Sequence, residues 1–253
     1  MLYIIGSGPG LGDYLTVKGL RILRKADIVV YHTFGSEQIM DVCKKRCELI
    51  SAETMNPRER ALFYRKNNHK LCVELINCDM TFYSTAQNVI DELDEIGMDY
   101  EIIPGVSSMN LASALLKRQF ALPCISHACV VTYLEEFDII DKQSIRQLAE
   151  HGTTMVIFMP RSYLIKRLKE QLVSGGVALD TPVAVVYRAG YKNQQIIHMD
   201  VGSIDSLGGD VIDSLIVIGW VLADKKKRYE ISGLPFSTNF MRAERFVKEK
   251  RGQ

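Results

Sequence analysis

Apolar residues along this chain fall into short, β-branched runs that alternate with stretches in which they recur at helical spacing. Residues 2–5 are apolar and strand-like, and Gly6-Ser7-Gly8-Pro9-Gly10 then forces a turn. Val17, Leu20 and Leu23 follow at helical spacing, and 26–31 reads as the next buried strand. The loop of this strand–loop–helix–strand unit lies at the carboxyl end of a strand, where open α/β sheets place their ligands. The alternation predicts strands over 2–5, 27–31, 47–50, 71–76 and 100–103, and helices over 16–25, 36–45, 57–67, 85–95 and 108–115. Such an order indicates a mostly parallel sheet covered by helices.

The helical pattern ends near Leu116, and 119–126, with Pro123 inside it, reads as a connector. A second α/β section follows, with strands predicted over 129–133, 155–159, 183–186, 195–198 and 214–219 and helices over 144–150 and 162–174. The runs 183–187 and 195–199, joined through Gly190 and Asn193, read as a hairpin, so the second sheet is expected to be mixed. The expected organisation is an amino-terminal α/β domain over 1–118, a linker over 119–126, a carboxyl-terminal α/β domain over 127–228 and a polar, basic surface tail over 229–253.

Composition narrows the function classes. A formal net charge of +1 over 253 residues gives no basic excess for a broad nucleic-acid footprint. The first strand begins almost at once, without a positively charged leader, and the apolar stretch 214–223 is too short to cross a bilayer. Six cysteines sit among core-like segments, which suits reduced thiols in the cytoplasm. Cys43 and Cys47 would share one face if the helix over 36–45 ran on by a turn, but no second ligand pair follows, and no metal site is expected. The five histidines show no paired spacing and read as structural or exposed. A dinucleotide site in the first loop is disfavoured: Leu11 stands where the third glycine belongs, and the second strand ends in Tyr31-His32 without a ribose-binding acid.

Three motifs in order carry a resemblance: Gly6-x-Gly8-Pro9-Gly10 with Leu15-Thr16-Val17-Lys18-Gly19, then Ile103-Pro104-Gly105-Val106-Ser107-Ser108, then Thr181-Pro182-Val183-Ala184-Val185-Val186-Tyr187-Arg188-Ala189. Together they resemble the tetrapyrrole methylase family, over residues 1 to about 222. Within that family the chain looks most like the branch that methylates C11 of cobalt-precorrin-4. The resemblance implies two α/β domains with a ligand cleft between them, S-adenosylmethionine as cofactor (S-adenosylhomocysteine as product), a small-molecule tetrapyrrole as substrate, and a homodimer.

It also implies residue roles. Cys78, Asp79, Met80, Phe82, Tyr83, Ser107, Ser108, Met159, Tyr187 and Ala189 would hold the cofactor, and Pro9, Leu11, Asp13, Tyr133, Arg161 and Arg188 would line the substrate trough. The family's Gly-Asp-Pro loop has become Cys78-Asp79-Met80. If that loop keeps its course, Cys78 is expected in a backbone conformation open to residues with a Cβ. The substrate-facing loops depart further. Leu11-Gly12 stands for Asp-Pro, Thr132-Tyr133 for Thr-Arg, and Gly190-Tyr191-Lys192 for Ser or Thr followed by Trp-Pro. A methylase of the same fold on another tetrapyrrole or a peptide backbone, and a non-catalytic cofactor- or tetrapyrrole-binding module, therefore stay open as alternatives.

Overall fold

The computed structural model describes residues 1–10, 12–32, 40–134, 144–208 and 211–233. They form two compact units: Met1–Leu111 with Gly190–Lys192, and Ala112–Ala189 with the remainder of the chain.

The first unit is built on strands β1 (Leu2–Gly6), β2 (Ile28–Tyr31), β3 (Glu48–Ser51), β4 (Cys72–Ile76) and β5 (Tyr100–Ile103). They lie in the order β3-β2-β4-β1-β5, with every pairing parallel. Helices α1 (Val17–Leu23), α2 (Pro57–Lys66) and α3 (Ala86–Glu95) join β1 to β2, β3 to β4 and β4 to β5, and α4 (Ser108–Leu116) follows β5. Each start has a local cause: the Thr16 hydroxyl accepts the Gly19 amide, and Asn56 and Glu59 form a reciprocal capping box with Pro57 in the first turn.

Both faces of this sheet are covered, which is why its central strands read as continuous apolar runs. Leu2, Ile4, Ile28, Val30, Cys72 and Ile76 pack against Ala61 and Tyr64 of α2 and Ala86, Val89, Ile90 and Leu93 of α3. Ile5, Val29, Val73, Leu75 and Ile103 face the other way, onto Leu23 and Ala26.

The second unit contains β6 (Cys129–Tyr133), β7 (Thr154–Phe158), β8 (Pro182–Tyr187), β9 (Gln195–Asp200) and β10 (Ser214–Ile218), in the order β6-β7-β10-β8-β9. Only β6 and β7 pair in parallel, so the sheet is mixed, and β8 and β9 form the hairpin. Helices α5 (Ile145–Ala149) and α6 (Ile165–Ser174) place Ile145, Ala149, Leu168 and Leu172 over Met155, Ile157, Val183, Val185 and Ile216.

Two expectations need correction. Of the helix over 36–45, residues 36–39 lie outside the described residues, and Met40–Val42 is a single 3-10 turn. Cys43 to Cys47 is then a tight turn in which the Cys47 amide donates to the Lys44 carbonyl, so these cysteines share no helix face. Lys44-Lys45-Arg46 leaves no apolar stripe there for a helix to bury. At the other end, 229–232 is not tail but the end of helix α7 (Lys225–Ser232), which Asp224 caps and Gly233 closes at φ 64°. Residues 234–253 lie outside the described residues.

Candidate functional site

In the first unit β4, β1 and β5 are neighbours and run in parallel, so the loops that follow them leave from one edge of the sheet. Their backbones are knitted together. The Ser7 amide donates to the Ile76 carbonyl and the Gly8 amide to the Cys78 carbonyl, each at 2.9 Å. A Cβ on Gly6 would stand 2.6 Å from the Gly105 nitrogen, and one on Gly105 would overlap the Cys78 carbonyl oxygen. Both motif glycines are thus required by close approach of three chain segments. Gly10, at φ 75°, meets the backbone of Gly190 in the same way.

The loop after β4 carries strain. Cys78 has φ 54° and Tyr83 φ 53°, in the left-handed region that favours glycine. This corrects the expectation of an unstrained Cys78: it holds a glycine-like conformation despite its Cβ. Its thiol interacts with the backbone and hydroxyl of Ser108, while burial and the Asp79 charge push the thiol up to about 11. It is therefore a neutral thiol. Asp79 is buried, and its carboxylate accepts the Thr81 amide at 2.7 Å, a local turn that sets the loop's course. Met80 packs against the α2–α3 core. Phe82 is half-buried and Tyr83 exposed. Ser107 is buried and caps α4, its hydroxyl accepting the Met109 amide at 3.3 Å. Pro9 is buried and Asp13 exposed, whereas Leu11 lies outside the described residues.

In the second unit β10 is antiparallel to both β7 and β8, and β6 is parallel to β7. The carboxyl ends of β6, β7 and β8 therefore share an edge with the start of β10. That edge gathers Tyr133, Met159, Tyr187, Arg188 and Asp213. Met159 is 45% exposed at φ 43°, an apolar side chain held open by its backbone. Arg188, at φ 46°, donates its amide to the Asp213 carbonyl at 2.9 Å. Its Nε lies 2.9 Å from Asp213 Oδ2, and its guanidinium stands 5.4 Å over the Tyr187 ring. Ala189 is buried beside it, and Arg161 is exposed.

Six described non-glycine residues have positive φ, and Cys78, Tyr83, Met159 and Arg188 are four of them. Such strain persists where surrounding structure enforces it, and it concentrates at ligand sites. Sequence reasoning missed Asp213, and it missed a buried ionic group under α2. Glu74 on β4 has no exposed surface; it accepts the Tyr64 hydroxyl and lies 3.3 Å from Arg60 Nε and 3.4 Å from His32 Nε2. Arg60 and Tyr64 reach it because positions four apart on α2 share a face. The one available signal was a carboxylate inside the apolar run 72–76.

These groups suit S-adenosylmethionine in kind. In the first unit, a buried carboxylate, a buried serine and backbone amides at glycine turns are of the kind an amino acid joined to adenosine requires. Among the described residues no group of three or more His, Cys, Asp or Glu is placed to hold a metal ion, and no helix is long and apolar enough to cross a membrane.

Comparison with known proteins bears on the same segments. The sequence profile described as Tetrapyrrole (Corrin/Porphyrin) Methylases matches residues 1–205. The cobalt-precorrin-4 C(11)-methyltransferase of Methanocaldococcus jannaschii is 35% identical over 233 residues, covering 89% of this chain and 90% of that relative. The X-ray structure of a cobalamin biosynthetic enzyme, cobalt precorrin-4 methyltransferase, is similar at a TM-score of 0.83 and 30% identity, over 88% of this chain and 96% of its own. Uroporphyrin-III C-methyl transferase from Thermus thermophilus, in complex with S-adenyl homocysteine, shares the fold at a TM-score of 0.69 and 20% identity, over 87% of this chain and 98% of its own.

Proposed function

Because the chain belongs to the tetrapyrrole (corrin/porphyrin) methylase family, we propose that it transfers a methyl group from S-adenosylmethionine to a corrin-pathway tetrapyrrole, at C11 of cobalt-precorrin-4. The observation that carries this reading is the backbone at the motif loops: Gly6, Cys78 and Gly105 pack main chain on main chain, and the strained Cys78 and Tyr83 bracket the buried Asp79.

When bound, the cofactor supplies a sulfonium methyl group already activated for attack by an electron-rich ring carbon. The protein's share is then to bind, orient and exclude water, a task that asks for no strong acid or base. Asp79, Phe82, Tyr83, Ser107 and Ser108 of the first unit are assigned to the cofactor, as are Met159, Tyr187 and Ala189 of the second. Cys78 and Met80 shape the loop, since one turns its thiol to Ser108 and the other packs into the core. Pro9, Asp13, Tyr133, Arg161 and Arg188 are assigned to the macrocycle, the two arginines for its carboxylates. Six free cysteines fit a reducing cytoplasm. The homodimer belongs to the same reading and is checked by light scattering.

Calorimetric titration with S-adenosylhomocysteine, followed by incubation with cobalt-precorrin-4 and S-adenosylmethionine, tests the proposal. One added methyl mass on the macrocycle is expected. Absence of binding to folded protein would overturn the cofactor, and binding with an unmodified macrocycle would overturn the acceptor.

A further inference from the structure

The strained loop between β4 and α3 is fastened at both ends, and the two fastenings differ in kind. At its start the Cys78 carbonyl accepts the Gly8 amide, which is main chain on main chain. At its end stands Thr85, in the N-cap position of α3, yet its side chain makes no capping hydrogen bond. The Ala86 amide is taken by the Ser84 hydroxyl instead, at 3.1 Å. The Thr85 hydroxyl lies 3.3 Å from His32 Nε2. The same nitrogen lies 3.4 Å from Glu74 Oε1, so one imidazole joins the buried carboxylate to the end of the loop.

The supports behind that imidazole are buried. Glu74 is held by the Tyr64 hydroxyl and by the Arg60 guanidinium, which also donates to the carbonyls of Ala52 and Met55 at 3.2 and 3.0 Å. Glu74 Oε1 has no aligned hydrogen bond and is flanked by the two nitrogen groups of Arg60 and His32. The Thr85 hydroxyl can donate or accept, so His32 Nε2 can hydrogen-bond it in either tautomer while resting against the Glu74 carboxylate. His32 lies just past the end of β2, two residues after Val30, whose side chain packs under α2 and α3.

We infer that His32 is a positioning residue for the cofactor loop, holding the far end of residues 78–85 against the buried Glu74 so that Tyr83 keeps its left-handed backbone. Tyr83 lies two residues before Thr85, and strain of this type persists only where neighbouring contacts enforce it. The inference rests on the proposed cofactor reading for its consequence, though the loop's order is measurable without any ligand.

The experiment compares the full chain with His32→Ala, His32→Gln and Thr85→Val. Glutamine places an amide nitrogen near the Nε2 position, and Thr85 is exposed, so Thr85→Val removes the hydroxyl at little risk to folding. Hydrogen exchange without ligand is expected to speed up at least fivefold at the amides of residues 79–85 in His32→Ala and Thr85→Val, and to stay near the natural rate in His32→Gln. S-adenosylhomocysteine affinity is expected to fall about five- to tenfold in the first two variants, roughly one lost hydrogen bond, and at most about twofold in His32→Gln. Unchanged exchange in Thr85→Val, or an equal loss in His32→Gln and His32→Ala, would overturn the positioning role. Faster exchange in a protein that binds no S-adenosylhomocysteine in its natural form would leave the fastening and remove the cofactor reading. Unaltered affinity despite faster exchange would show that the fastening does not serve binding and would overturn the inference.

Discussion

Gly105→Ala puts the knitted loops to a direct test. The new Cβ would overlap the Cys78 carbonyl oxygen and lie 2.8 Å from Gly6 Cα, and neither obstacle is a side chain that can swing aside. The backbone of one segment must move, which breaks the hydrogen bond between the Gly8 amide and the Cys78 carbonyl. Overpacking of this type costs about 1–3 kcal/mol, and the lost hydrogen bond adds about 1 kcal/mol. A total of about 3 kcal/mol corresponds to a fall of roughly 10 °C in melting temperature for a chain of this size. Gly97→Ala is the control, because Gly97 has φ 63° but nothing within 4 Å of the added atom. Its cost is backbone strain alone, about 1 kcal/mol. Differential scanning calorimetry reads both, and S-adenosylhomocysteine titration reads the loop. A Gly105→Ala protein that melts within about 2 °C of the parent, less than a loss of about 1 kcal/mol produces, and keeps its affinity would refute the close approach.

Cys78→Gly exchanges a strained residue for a relaxed one; relief of about 1–2 kcal/mol, less about 0.4–1 kcal/mol of added unfolded-state entropy, predicts stabilisation of about 0–1.6 kcal/mol in urea denaturation. A clear loss would mean that the thiol's contact with Ser108 outweighs the strain. With its thiol near 11, Cys78 is about one part in a thousand thiolate at pH 8, so iodoacetamide should modify it roughly a hundredfold more slowly than free cysteine, as read by mass spectrometry. Modification at the free rate would contradict the burial. Asp213→Asn removes the charge that holds Arg188 and is expected to raise the KM for the macrocycle about fivefold, in line with about 1 kcal/mol for a partly exposed pair, with S-adenosylhomocysteine affinity unchanged. Loss of cofactor affinity instead would move Arg188 from the macrocycle to the cofactor.

The central strands of both units were legible because they are apolar runs with turn residues at their ends, and the mixed second sheet followed from the Gly190 and Asn193 turn. Gly6 and Gly105 were legible as motif positions, though only the structure shows that each faces another backbone. Cys78 was misread for a physical reason: a cysteine gives no sign of positive φ, and the enforcing partners, Gly8 and Gly105, come from other loops. The turn at Cys43–Cys47 was misread because Cys43 and Val42 mimic a short helical stripe that Lys44-Lys45-Arg46 cannot continue. Asp213 pairs with Arg188 across 25 residues, and Glu74 draws on two strands and a helix, so periodicity could not reveal either pairing.

The carboxylate of Glu74 has a consequence for how the first sheet assembles. Glu74 sits opposite Ile4 on β1 and Val30 on β2, in a strand otherwise made of Cys72, Val73, Leu75 and Ile76. An apolar strand slipped by one residue still buries apolar surface, so hydrophobicity alone barely distinguishes the two alignments. Glu74 distinguishes them sharply: a one-residue slip turns it toward Ile5, Val29 and Ile103, away from Arg60 and Tyr64, at a cost of several kcal/mol. Its partner helix α2 immediately precedes β4, with Tyr64 only 10 residues from Glu74, so the check is made by a nearby segment with little loop-closure entropy to overcome. The charge that looks out of place in the apolar run therefore makes the wrong alignment of the central strand expensive.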